Sequence, residues 1–350
     1  LERKQEVLAR ELEVQLASAP EDPAAVAVSG VQQVGDDLLG LMFMCCHPVL
    51  SSDARVALTL RLLGGLTTKE VARAFLTPEA TLAQRIVRAK RTLTEARVPF
   101  EVPEGEELTD RLPAVLDAIY LIFNEGYSAT AGEHWTRPEL CEDAQRLGRI
   151  LAGLMPREPE VHGLLALMEL QASRLRARRS PTGEPVLLMD QDRSRWDLLL
   201  IGRGLKALDR AEELSPAGLG VYTLQAAIAA CHARARTPEQ TDWVRIVALY
   251  DGLAQVTGSP VVALNRAVAV AMAFGPEAGL ELTERLADER ALAGYHLLPS
   301  VRADLLARLG RLDEARAELE RAIALTANEH ERTLLLERVA TLAQQAASQP

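Results

Sequence analysis

The segment TTKEVARAFLTPEATLAQRIVRAKRTL, residues 67–93, restricts the fold of the chain more than any other stretch. Thr67 is followed three residues later by Glu70. At that spacing each side chain can accept the other's backbone N–H, which starts a helix. That helix runs to about Phe75 or Leu76. Pro78 then opens a second helix, since proline suits a first turn, and Thr77 stands where a cap is wanted. Two short helices joined so closely form a helix-turn-helix.

The second helix divides into two faces. Leu82, Ile86, Ala89 and Leu93 recur at helical spacing and make one apolar stripe. Thr81, Gln84, Arg85, Arg88 and Arg91 make a polar stripe elsewhere on the surface. Arg and Gln are the side chains that reach purine edges and phosphates in the major groove. The N-terminal end of a recognition helix meets the bases. Thr81, Gln84 and Arg85 are therefore assigned to base edges, and Arg88, Lys90 and Arg91 to phosphates. A merely solvated basic face is the competing explanation. The charge distribution favours DNA. The chain carries a net charge of −10, yet residues 51–97 hold nine basic residues against four acidic ones, a local +5 that leaves −15 for the rest. A basic island on an acidic protein is a localised electrostatic footprint.

Beyond this segment the chain is expected to be all-α. Aromatics are 4% of its 350 residues. Ala, Leu, Glu and Arg crowd every row, side chains that lose little freedom in a helix. No run alternates with period two as a strand would. No stretch approaches the length of apolar sequence a membrane span needs, so no membrane association is expected. Four cysteines cannot form a dense disulfide framework, and a reduced, cytoplasmic setting fits them.

Residues 1–17 read as an amphipathic helix and 18–32 as a Pro/Ala/Ser/Gly linker. The helix-turn-helix domain is expected over 33–97, a linker over 98–107, a helical domain over 108–345 and a tail over 346–350. In the helical domain, breaks fall at 128–138, 156–159, 180–185, 215–220, 236–240, 257–260, 274–276 and 293–299. Within 300–326, Ala303, Leu306, Gly310, Ala315, Leu319 and Ala322 stand where a tetratricopeptide-type helix pair puts its small and apolar residues. Gly275, Ala278 and Leu282 echo them. The expectation is a degenerate array of helix pairs, with an irregular bundle as the alternative.

Several clusters could carry chemistry. Asp190, Asp192 and Asp197 lie close together in DQDRSRWD, and Glu125 lies in NEGY. Asp192 or Ser194 could instead cap the helix that follows, and Gly126 could end the helix that precedes it. Cys45, Cys46 and His47 miss zinc spacing, and adjacent helical residues point apart, so buried thiols are expected. Cys231-His232 and His296 are read the same way. No catalytic residue, metal ligand or cofactor is assigned.

The segment 36–97, and especially 52–93 with Arg61-Leu62, Ala72, Thr81, Arg85 and Arg88-Ala89, resembles region four of bacterial sigma factors of the extracytoplasmic-function group. Leu76 and Pro78 depart from the Gly and Ser common in that turn. CCHPVL (45–50), LIFNEGYSAT (121–130), LMDQDRSRWD (188–197), LQAAIAACHA (224–233), SPVVALNRAVAVAM (259–272) and GYHLLPSVRADLL (294–306) resemble a subgroup with a tetratricopeptide-like C-terminal extension. The resemblance implies recognition of the upstream promoter hexamer, binding to the β-flap of core RNA polymerase, and transcription initiation. It also implies a region two. No stretch of this chain resembles that region, and residues 1–32 read as the helix and linker that follow it. The chain opens on Leu1 within a charged helical pattern, which reads as a piece of a longer protein.

Three functions stay open at this point. The first is a sigma factor whose C-terminal domain is a regulatory or interaction scaffold, docking a regulatory protein. The second is an enzyme with a pocket built on Glu125, Asp190 and Asp192. The third is a ligand-sensing helix-turn-helix regulator that works without polymerase.

Overall fold

The computed structural model describes residues 37–75, 77–127, 137–180, 186–326 and 329–347. The expected helix over 1–17, the linker over 18–32 and Leu76 lie outside the described residues, as do most of the break at 128–138 and that at 180–185. Regular structure among the described residues is helical, with no strand. The chain forms two compact units, Leu1–Leu121 and Ile122–Pro350.

The first unit begins with α1, residues 37–45. It continues through α2 (Ser52–Leu62), α3 (Thr68–Ala74), α4 (Glu79–Glu95) and most of α5 (Gly105–Tyr127). Met42, Phe43, Leu58, Leu60 and Leu82 are fully buried and form its core. Ser51 caps α2 by accepting from Ala54 N–H. Arg111 of α5 is buried and clamps α1, donating to the Phe43 carbonyl at 3.2 Å and pairing with Glu107 at 2.9 Å. The helix that follows residues 98–107 starts at Gly105 rather than Leu108. It carries Pro113 in its interior, and the boundary between the compact units falls within it.

The second unit holds α6 (Pro138–Leu154), α7 (Pro159–Ala172), α8 (Leu198–Glu213), α9 (Val221–Arg234), α10 (Trp243–Thr257), α11 (Pro260–Phe274), α12 (Pro276–Arg285), α13 (Leu297–Arg308), α14 (Leu312–Leu325) and α15 (Glu329–Ala347). From α6 to α15 each helix packs on the next, and α9 is laid more extensively against α7 than against α8. Packing on near neighbours in sequence is the pattern of a stacked helical array. Ala303, Leu306, Ala315, Leu319 and Ala322 are all buried between α13, α14 and their neighbours, and Gly310 makes the turn between the two helices with φ +75°. Gly275 turns between α11 and α12 at φ +106°. Gly279 then lies so close to α11 that a Cβ would stand 2.5 Å from Ala271 Cβ.

One joint in this unit has no local sequence signal. The N-cap of α9 is Gly220, which has no side chain to offer. Glu160, from the first turn of α7, takes over the task. It accepts from Tyr222 N–H at 2.7 Å, Thr223 N–H at 3.1 Å and Thr223 Oγ1 at 2.6 Å. A Cβ on Gly220 would sit 2.3 Å from the Glu160 carboxyl carbon, so only glycine admits this cap.

Candidate nucleic-acid interface

The helix-turn-helix is α3 and α4, both braced by α2. The capping box forms as expected: Thr67 N–H donates to Glu70 Oε2 at 2.7 Å and Glu70 N–H to Thr67 Oγ1 at 3.2 Å. The hydrogen bonds from the Thr67 backbone and hydroxyl hold the Glu70 carboxyl below its ordinary range. α3 is shorter than expected and ends at Ala74. Thr77 does not cap α4. Pro78 itself occupies the N-cap position without a side-chain hydrogen bond. Thr77 lies one residue too early, and its hydroxyl turns back to the Phe75 carbonyl at 3.1 Å.

α4 buries Leu82, Ile86, Ala89 and Leu93, the stripe expected from the spacing. That burial fixes the roll of the helix and leaves the adjoining face open. Thr81, Gln84 and Arg88 are exposed and Arg85 is half-buried. All four line one groove of about 330 Å³, whose other wall is the Val49–Ser51 turn and the start of α2.

Two expected members of the site lie apart from that groove. Arg91 is exposed one turn further along and pairs with Glu95 at 3.0 Å. Lys90 is exposed on another flank. At about 100° per residue it lies about 140° around the helix from Arg85. Its charge is felt instead at Cys45, where it opposes the rise in thiol pKa.

Asp53, in the first turn of α2, was not anticipated. Its carboxylate lies 3.3 Å from Arg85 Nη1, so an acid of one helix holds a cation of the reading helix. A pair between separate helices leaves no periodic trace in sequence, and only the packing of α2 on α4 creates it.

Cys45 and Cys46 are buried. Burial pushes both thiols up, Cys46 to about 11, with Thr59 as its hydrogen-bond partner at 3.4 Å. Cys231 is buried and its thiol is also raised by burial. His232 is buried with its ring edge-on to Trp243 at 5.2 Å, and burial lowers its pKa to about 4. Half-buried His296 stacks at a tilt on Tyr295, 5.9 Å between centroids.

In DQDRSRWD the expected capping role belongs to two aspartates. Asp192 caps the short turn Arg193–Arg195 through Ser194 N–H at 2.9 Å, and Asp197 caps α8 through Leu199 and Leu200 N–H at 2.9 and 3.1 Å. The arginines between them bind carbonyls. Arg193 reaches those of His232 and Ala235 at 2.8 and 2.7 Å, and Arg195 those of Arg179 and Arg176. Glu125 is paired with Arg137.

Gly126 is not a helix cap. It lies in the last turn of α5, where a Cβ would stand 2.7 Å from Cys141 N and 2.8 Å from the Arg137 carbonyl, so it serves close approach of α6. Among the described residues no three His, Cys, Asp or Glu side chains are grouped to hold a metal ion, and no helix is long and apolar enough to cross a membrane.

The groove lies within a match to a known domain model. Residues 40–93 match "Sigma-70, region 4", and residues 111–212 match a "Family of unknown function (DUF6596)". The second match spans both the NEGY and the DQDRSRWD segments. An uncharacterized protein of Rhizobium meliloti (strain 1021) is 48% identical over 296 residues, which is 85% of this chain and 69% of that protein. Identity of that degree over that length, around a DNA-binding domain of the region four type, means that the chain belongs to the same family as the Rhizobium meliloti protein and carries a sigma-70 region 4 domain.

Proposed function

We propose that the protein is a cytoplasmic sigma factor of the extracytoplasmic-function group, which directs RNA polymerase to promoters. Its region four, over 33–97, binds the upstream promoter hexamer and the β-flap of core polymerase. Thr81, Gln84 and Arg85 read base edges while Arg88, Lys90 and Arg91 grip phosphates. Lys90 reaches the DNA backbone from the opposite flank of α4. Residues 98–107 lead from the helix-turn-helix into α5, and the tetratricopeptide-like unit that follows acts as a regulatory or interaction scaffold.

One observation carries the reading: Thr81, Gln84, Arg85 and Arg88 share one groove beside the buried stripe of α4, whose Ala89 lies at its floor. The local +5 of residues 51–97 supports it. The scaffold role is supported by the separate placing of the carboxylates of the enzyme reading: Glu125 is in an ion pair, Asp192 caps a short turn and Asp190 is exposed, where a catalytic pocket would bring them together.

The test is selection of binding sites from a randomised duplex pool by the full chain, followed by affinity measurements with Arg85→Ala and Arg88→Ala. Arg85→Ala should relax preference at one position. Arg88→Ala should weaken all sequences alike and lower the salt slope by about 0.9, the share of one phosphate contact. Identical selected sequences and affinities in wild type and both variants would refute the assignment.

A further inference from the structure

The C-terminal unit contains a cleft of about 610 Å³. Sites for small molecules span about 300–1,000 Å³ and combine an apolar lining with a few convergent polar groups. The cleft has that character. Its apolar wall includes Leu187, Leu297 and Leu335, and Leu187 and Leu297 are 68% and 41% exposed. Leucines left this open in a concavity gain most from an apolar ligand.

The polar groups are of two kinds. Arg174 and Arg178 both line the cleft beside Tyr127. Arg178 stacks over that ring at 3.8 Å and donates to the Tyr127 carbonyl at 2.8 Å. Arg174 lies 6.0 Å from the ring of Tyr127 and 5.9 Å from that of Trp196, and among the described residues it has no carboxylate within ion-pair distance. Gln191 is 7% exposed; its amide N–H₂ donates to the Val186 carbonyl, while its Oε1 is buried without a hydrogen-bond donor. A buried acceptor left in this state is uncommon in a folded protein, and it marks a place where a donor belongs.

We propose that this cleft binds a small amphipathic carboxylate with a hydroxyl or amide donor. The carboxylate lies against Arg174, the apolar body covers Leu187, Leu297 and Leu335, and the donor hydrogen-bonds to Gln191 Oε1. Planar guanidinium groups suit a carboxylate. Glu337 on the same rim weighs against a doubly charged phosphate. The proposal goes beyond promoter reading, and its test contains no DNA, so either idea can fail without the other.

The experiment is calorimetric titration of the full chain with 3-hydroxydodecanoate below its micellar concentration. Dodecanoate and dodecyltrimethylammonium are the comparison probes. Saturable one-to-one binding is expected, at least about tenfold weaker in Arg174→Gln. Thr341→Trp, at an exposed position on α15 that lines the cleft, should block binding by filling it and checks the site without touching Tyr127 or Trp196. Dodecanoate should bind more weakly than its hydroxylated counterpart, and Gln191→Leu should erase that difference. Thermal melting confirms that each variant is folded. Absence of saturable binding, equal affinity for the trimethylammonium probe, or affinity untouched by Thr341→Trp would overturn the proposal.

Discussion

The Asp53 carboxylate lies 3.3 Å from Arg85 Nη1, so the groove on α4 holds its own counter-charge. The pair is exposed, with side chains 69% and 34% accessible, and exposed pairs contribute little to stability. Its effect falls on DNA. Asp53→Asn should raise affinity for all duplexes by about two- to fivefold, because one negative charge leaves the phosphate-facing surface. Preference among sequences should loosen, since Arg85 is no longer held in one pose. Fluorescence anisotropy with a selected site and a scrambled one reads both effects. Unchanged affinity for both duplexes would mean that Asp53 does not face DNA.

Lys90 and Arg88 should differ. Arg88 lines the groove whereas Lys90 lies on another flank of α4. Lys90→Ala is therefore expected to reduce the salt dependence of binding less than Arg88→Ala, for which the full share of about 0.9 is expected. Equal slopes in the two variants would place both side chains on phosphates to the same degree.

The end of α4 predicts a stabilising change. Arg97 adopts φ +50°, the left-handed region, while Val98 N–H bonds to the Leu93 carbonyl and Arg97 N–H to that of Thr94. This is the helix-ending pattern that ordinarily has glycine at the left-handed position. Arg97→Gly should raise the stability of the N-terminal unit by about 1 kcal/mol by removing that strain. Urea titration measures it, and a loss of stability would show that the arginine side chain matters more than its backbone.

Glu160 is expected to matter well beyond an ordinary surface acid. Its carboxylate satisfies two backbone N–H groups and one hydroxyl at the start of α9. Glu160→Ala should cost about 1–3 kcal/mol, the range for leaving buried polar groups without partners. Gly220→Ala should be destabilising as well, because its Cβ would collide with that carboxylate. Calorimetric melting would detect both, and a melting point unchanged in Glu160→Ala would remove the cap from the account.

His232 gives the C-terminal unit an acid dependence. Burial and the nearby charges of Arg174 and Arg193 lower its pKa from 6.5 to about 4. The unfolded chain takes up a proton below pH 6.5 and the folded one only near pH 4. The contribution is thus complete above pH 6.5 and lost as pH falls toward 4, by about 3 kcal/mol at most. His232→Phe keeps an aromatic edge on Trp243 and removes the titration. Urea midpoints of wild type should converge toward those of the variant or fall below them across that window, and parallel curves would count against the assignment.

The parts of this molecule that could be read from sequence are those governed by neighbours along the chain. The Thr67–Glu70 box and the Leu82-Ile86-Ala89-Leu93 stripe are set within a few residues and formed as spacing requires. The turn was less legible, because Thr77 and Pro78 are both plausible first residues and only geometry decides which one takes the cap. Gly126 near a helix end looked like a terminator; its reason lies in Cys141 on another helix. The cap of α9 comes from Glu160, 62 residues before Tyr222, which no window on the sequence spans. Lys90 was grouped by its charge with Arg88 and Arg91, and the pitch of α4 sets it on a different flank of the helix from Arg88.

The near-neighbour packing from α6 to α15 has a consequence for how such a chain changes over generations. An array of this kind carries its main partners along the chain, and the cleft spans it by setting Tyr127 and Arg174 beside α13 and α15. Duplicating one helix pair inserts a layer about 10 Å thick per helix and leaves the other nearest-neighbour interfaces with their original partners. The end of the stack is then the place where length changes at least cost. Because α15 walls the cleft, the same event would also decide whether the cleft exists.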